Sequence, residues 1–179
     1  MLSADRSFFL LVDMQGKLAS LVQKHNELTE SIVTLIRGLR ILEIPTVWME
    51  QYPKGLGETI PKIKGELEGV TPFAKTSFGC GGDEAIMAAI TSHGRKQAIV
   101  AGIETHVCVY QSCMQLLEGG FEVTLVEDCT SSRSKKDRKT ALRALSAAGV
   151  KMSTVEMVLF ELLHKAGGER FNLISSLIK

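Results

Sequence analysis

Three side chains sit in surroundings that suit chemistry. Cys108 lies in QAIVAGIETHVCVYQSCMQLLEGG, residues 97–120. This reads as a short apolar strand, Ala98 to Ala101, that breaks at Gly102 and continues as a helix. Thr105 is a natural N-cap, and Val107, Tyr110, Met114 and Leu117 share one helical face. Gly119-Gly120 supply the stop. A thiol in the first turn of a helix meets unpaired backbone N–H groups and the positive end of the helix dipole. It is therefore expected to titrate below its ordinary value of about 8.5 and to act as a nucleophile near neutral pH. A buried cysteine also serves as a small hydrophobe. Asp13 ends the apolar run Ser7 to Val12 (SFFLLV), and Lys75 lies in TPFAKTSFGCGG, between Ala74 and Phe78. Asp13 either caps the following segment or stands where an open sheet binds ligands. Lys75 is either a solvated surface lysine or an ammonium offered from apolar surroundings.

A carboxylate, an ammonium and a thiol complement one another. The carboxylate can take the thiol proton, the ammonium can stabilise the thiolate, and helix N–H groups can hold an oxyanion. They need elements that bring them to one place. Ser7 to Val12 has the unbroken apolar pattern of a strand covered on both faces. Leu28, Ile32, Leu35, Ile36, Leu39 and Leu42 give residues 26 to 43 a helical stripe that ends before Pro45. Thr46 to Met49 reads as the second strand. The stretch from Glu50 to Gly82 carries three of the 4 prolines and reads as a long insertion that shapes a pocket. Asp83 caps a helix running to His93. Phe121 to Val126 is a further strand, CTSSRSKKD a polar loop, and residues 135 to 148 a helix. Val150 to Val155 is a last strand, followed by helices at 157–163 and 171–178. Alternation of this kind predicts a three-layer α/β fold with a doubly wound, mostly parallel, Rossmann-like sheet. Parallel strands share one carboxyl edge, where Asp13, Lys75 and Cys108 can meet.

The 179 residues fit a single domain, 1–179, with a full core. Twenty acidic residues against 21 basic ones give no electrostatic case for nucleic acid or an anionic membrane. No run approaches the roughly 18 apolar residues of a membrane span, and Asp13 interrupts the N-terminal apolar segment before it resembles a signal peptide. The four cysteines, at 80, 108, 113 and 129, lack CxxC spacing, which fits reduced thiols and a cytoplasmic location. The glycines at 79, 81 and 82 do not form a phosphate loop, since no GK[ST] follows. His25, His93, His106 and His164 lack metal-ligand spacing. No metal and no cofactor is expected.

The ordered motifs LLVDMQ, FAKTSF and AGIETHVCV resemble the isochorismatase-like cysteine hydrolases, a superfamily that includes nicotinamidases and N-carbamoylsarcosine amidohydrolase. The resemblance extends to about Leu163 and implies the isochorismatase-like hydrolase fold. It implies a catalytic triad of Asp13, Lys75 and Cys108, with an oxyanion hole made by the backbone N–H groups of Glu104 and Cys108. It also implies a cis peptide between Ile103 and Glu104. The metal-binding Asp-x-His of nicotinamidases is missing here, and the nucleophilic cysteine absent from true isochorismatases is present. EQYPKGLG and GIETHVC resemble the small isochorismatase-domain branch. The reading is a metal-independent hydrolase that cleaves a C–N bond of a small amide through a thioester. Phe78, Trp48, Gln51 and Tyr52 are candidates for substrate binding, and a homo-oligomer is expected. His106 reads as a surface residue at the helix start, and the segment 171–178 as either an interface or part of the core. Two alternatives stand: a non-catalytic small-molecule-binding or scaffold protein of this fold, and a thiol redox sensor. Cys113 is the nearby partner for a sensor, but five residues along a helix put it on a different face from Cys108.

Overall fold

The computed structural model describes residues 1–178. Six parallel strands form one sheet: β1 (Ser7–Val12), β2 (Thr46–Gln51), β3 (Phe73–Lys75), β4 (Gln97–Ile103), β5 (Glu122–Ser131) and β6 (Lys151–Ser153). Their spatial order is β3-β2-β1-β4-β5-β6. The chain winds outward one way from β1 and the other way from β4. The gap between the carboxyl ends of β1 and β4 is therefore the switch point at which such sheets hold ligands.

Side-chain alternation splits the core into two layers. Phe9, Leu11, Trp48, Ile99 and Ala101 pack under α1 (Gly16–Leu21), α2 (His25–Ile41), α8 (Val155–Leu163) and α9 (Glu169–Ile178). Phe8, Leu10, Val12, Val47, Met49 and Val100 pack under α5 (Glu84–Ser92), α6 (Tyr110–Glu118) and α7 (Lys135–Ala147). β1 and β4 are buried along their whole length, as unbroken apolar runs require. Two single-turn helices, α3 (Pro53–Leu56) and α4 (Pro61–Lys64), each begin with a proline that presets φ, and they fold the long connection after β2. α5 starts where expected, with Asp83 accepting from the N–H groups of Ala85 and Ile86. α9 is anchored on its own chain: Ile174 is fully buried, and the Phe171 ring lies 6.3 Å from that of Phe160.

Several expectations change. Lys75 belongs to a strand, β3, paired in register with β2 so that Lys75 faces Gln51. β5 does not stop at Val126. It bulges between the pairs Val100–Leu125 and Gly102–Thr130, then runs to Ser131, so the first third of the expected polar loop is strand. Thr105 does not cap a helix. Glu104 occupies the cap position at φ +59°, and Thr105 opens a wide π-helical turn, Thr105–Val109, that leads into α6. The buried face of α6 carries Ser112, Cys113 and Leu116, while Tyr110, Met114 and Leu117 are only partly covered. Small side chains face inward because the turn Cys80–Gly82 packs there, with Cys80 N donating to Ser112 Oγ at 3.2 Å.

Candidate active site

Asp13 leaves β1 in a left-handed conformation, φ +54°, with only 1% of the residue exposed. Its carboxylate accepts from Lys75 Nζ at 2.9 Å. The ammonium also donates to Gln51 Oε1 at 2.6 Å, to the Phe78 carbonyl at 3.0 Å and to the Ser77 carbonyl at 3.2 Å. Four acceptors thus surround three protons. Lys75 is 2% exposed, so this is a buried ion pair held by further hydrogen bonds, the arrangement that makes such a pair tolerable.

Cys108 projects from the wide turn after β4 and is 7% exposed. Its thiol is close enough to Asp13 for the two to influence each other's titration. No well-formed hydrogen bond joins them, and Asp13 Oδ1 is a buried oxygen with no partner. That oxygen is a free acceptor on the carboxylate whose charge acts on the Cys108 thiol. Asp13, Lys75 and Cys108 come together as the sequence predicts.

The expected low thiol pKa does not appear. Burial, then the charge of Asp13, push the Cys108 thiol up to about 12; Lys75 opposes them, and Glu104 adds to the rise. One ammonium shared among four acceptors does not outweigh desolvation and two carboxylates. The thiol rests protonated and needs a base. Asp13 is raised above the ordinary carboxylate value by burial, with Lys75 pulling the other way.

The Ile103–Glu104 peptide is trans, as is every peptide bond among the described residues. The reversal after β4 is made without a cis bond, by Gly102 at φ +134° and Glu104 at φ +59°. The Glu104 side chain is 4% exposed and accepts from the Arg133 guanidinium at 2.9 and 3.2 Å and from Arg133 N at 3.2 Å. His106 is not a free surface residue: Nδ1 lies 3.0 Å from Ser132 Oγ and Nε2 3.7 Å from Glu104 Oε2.

The four substrate-binding candidates separate. Gln51 faces Lys75. Tyr52 and Phe78 flank it on loops at the same sheet edge, each 54% exposed. Trp48 does not join them, because one residue of strand alternation puts it in the other core layer. There its Nε1 donates to Thr59 Oγ1 at 2.8 Å, and it borders a separate cavity of about 290 Å3 with Glu50 and Leu67. Gln15, which sequence reading passed over, is fully buried. Its amide clamps the Gln51 backbone, Oε1 accepting from Gln51 N at 2.5 Å and Nε2 donating to Gln51 O at 3.0 Å. Its place two residues after Asp13 was the available signal. Among the described residues no three His, Cys, Asp or Glu side chains converge as metal ligands, and no helix is long and apolar enough to cross a membrane.

An all-parallel, doubly wound sheet with a thiol, a carboxylate and an ammonium at its switch point defines an α/β protein of the hydrolase type. The chain belongs to the isochorismatase family, whose domain model matches residues 7–157. It is 39% identical to isochorismatase domain-containing protein 2 of Danio rerio, over 99% of this chain and 89% of that protein. It is 37% identical to the Danio rerio isochorismatase domain-containing protein 1, of which it spans 62%. Among solved structures, a Caenorhabditis elegans protein described as MAR1 ribonuclease superposes with a TM-score of 0.92 at 36% identity, covering 99% of this chain and 91% of that one. YcaC of Escherichia coli, described as an octameric hydrolase of unknown specificity, gives 0.93 at 25% identity, covering 99% and 88%. YcaC of Pseudomonas aeruginosa, solved with covalent acrylamide, gives 0.92 at 27%, covering 98% and 90%.

Proposed function

We propose that this chain is a cysteine hydrolase that cleaves the C–N bond of a small, neutral amide. The orphan Oδ1 of buried Asp13, set beside a protonated Cys108 thiol, carries the reading. As Cys108 Sγ attacks the carbonyl carbon, its proton passes to Asp13. The N–H groups of Glu104 and Cys108 hold the oxyanion. Asp13 then returns the proton to the leaving nitrogen as the C–N bond breaks, leaving a thioester. Water, deprotonated by Asp13, attacks the thioester, and the thiol is re-formed as the acid departs. Lys75, with its protons already engaged, contributes charge rather than a proton. The covalent acrylamide in the Pseudomonas aeruginosa relative supports a reactive nucleophile on this fold. The ribonuclease description of the nematode relative finds less support here, since 21 basic and 20 acidic residues leave no cationic excess for RNA. The octameric relative and the exposed Tyr52 and Phe78 support a homo-oligomer.

The test is the pH dependence of Cys108 alkylation by iodoacetamide, located by peptide mass spectrometry, beside ammonia release from a panel of small amides. The wild-type midpoint should lie above the free-thiol value of about 8.5. Asp13→Asn removes a negative charge and should move the midpoint down while abolishing ammonia release. Lys75→Ala removes the ammonium paired with Asp13 and should move the midpoint up. A Cys108 that titrates like a free thiol, indifferent to both substitutions, would sink the reading.

A further inference from the structure

We infer that Gln51 is a positioning residue for Lys75; the inference rests on the triad reading above. Gln51 ends β2 directly opposite Lys75 in the parallel pair. Its amide can point only one way. Nε2 donates to the Thr76 carbonyl at 2.9 Å, which turns Oε1 onto the Lys75 ammonium at 2.6 Å. That is the shortest of the four contacts the ammonium makes. A flipped amide would set N–H groups against the ammonium and a carbonyl against a carbonyl, so the orientation is fixed at both ends.

The backbone of Gln51 is fixed as well. Gln15 grips its N–H and its carbonyl and sends a second Nε2 bond to the Gly57 carbonyl at 2.7 Å. Gln15 N in turn donates to Asp13 O at 2.7 Å. The hydrogen bonds close a ring: Asp13 to Lys75, Lys75 to Gln51, Gln51 to Gln15, and Gln15 back to the Asp13 backbone. Oε1 of the Gln51 amide is committed to the ammonium and one Nε2 N–H to the Thr76 carbonyl, so the amide is held by Lys75 and the backbone beside it. What the amide supplies is a neutral acceptor. It stabilises the buried ammonium in its charged form without adding a second carboxylate to compete with Asp13 or repel the forming thiolate.

Removing the acceptor should loosen the placement of the Lys75 ammonium beside Asp13, so that the thiolate is less well supported by its counter-charge. Alkylation of Cys108 by iodoacetamide is again the measurement, across pH, in wild type, Gln51→Leu, Lys75→Ala and the double variant, with thermal melting alongside. Gln51→Leu should raise the midpoint by about half to one pH unit, about three- to tenfold slower alkylation at fixed pH below it. In the Lys75→Ala background the same substitution should add nothing. Gln51→Met fills the same space without an acceptor, should shift the midpoint in the same direction, and carries the test if Gln51→Leu fails to fold. The inference is overturned if Gln51→Leu only lowers the melting temperature, or shifts the midpoint equally with and without Lys75. If Lys75→Ala moves the midpoint and Gln51→Leu does not, this inference alone is wrong. If Lys75→Ala is also silent, the triad reading fails with it.

Discussion

Lys75 and Asp13 carry opposite charges where neither has water, side-chain exposure being 0% and 2%. Each makes the other affordable, and breaking such a pair by removing one partner costs about 3–5 kcal/mol. The two halves differ in how they fail. In Lys75→Met the remaining carboxyl can neutralise itself by taking up a proton. Its folded pKa, already raised by burial, rises further once the ammonium is gone. A group with a raised folded pKa adds stability below its unfolded pKa, here near 3.8, and loses it as pH climbs through the folded value. Lys75→Met should therefore be more destabilised at pH 8 than at pH 5, and Asp13→Asn/Lys75→Met should recover much of the loss at pH 8. Urea denaturation at the two pH values decides it; equal losses, or a double variant as weak as the single, would refute the account. The resemblance carried by LLVDMQ, FAKTSF and AGIETHVCV made this pair legible, whereas residue types alone left Lys75 open between a surface lysine and a site ammonium. Gln51 as the ammonium's partner was not legible, because cross-strand register is a property of the folded sheet.

At the scale of elements, the close approach of β1 and β4 makes the site. Gly102 has φ +134°, and a Cβ there would lie 2.1 Å from the Val12 carbonyl oxygen. The obstacle is backbone, which cannot step aside. Gly102→Ala should therefore cost about 3 kcal/mol or more and splay the strand ends that carry Asp13 and Cys108. The expected results are a lower urea midpoint and a Cys108 alkylation profile shifted toward the free thiol. A variant within about 0.5 kcal/mol of wild type would show that the strands can part freely. β4 does not break at Gly102 as the sequence suggests but runs through it to Ile103; β1, α2, α5 and the body of β4 were visible, where long apolar runs or a capping aspartate leave a plain pattern. β3 was not: only Lys75 of its three residues is buried, and a buried lysine looks like a surface one until its partners are known. The continuation of β5 through Cys129–Ser131 was hidden by polar letters that face other polar groups, such as Thr130 Oγ1, 2.9 Å from Thr105 Oγ1. The wide turn at Thr105–Val109 escaped because a π turn and an α turn draw on the same residues.

For the whole molecule, the four thiols act together. Cys80, Cys108, Cys113 and Cys129 are all free and buried, one or more in each core layer. Burial pushes Cys80 up to about 11 and Cys108 up to about 12, and raises Cys113 and Cys129 well above the ordinary thiol value. An unfolded thiol ionises near about 8.5. All four folded values are raised, so their stabilisation is complete below the unfolded pKa and is lost as pH rises toward the folded ones. Between pH 8.5 and 11 the unfolded chain gives up protons that the folded chain keeps. Each thiol then removes up to about 1.4 kcal/mol per pH unit, and four together up to about 5 kcal/mol per unit. The expected signature is an unfolding free energy that is flat from pH 7 to 8 and falls steeply above 9. Cys113→Ala lowers stability at every pH by the cavity it opens, yet should flatten the alkaline slope by about 1.4 kcal/mol per unit. Urea titrations of both proteins at half-unit steps from pH 7.5 to 10.5 separate the two effects. A wild-type curve with no alkaline fall, or a Cys113→Ala curve parallel to it, would mean that the core admits water to its thiols before the chain unfolds.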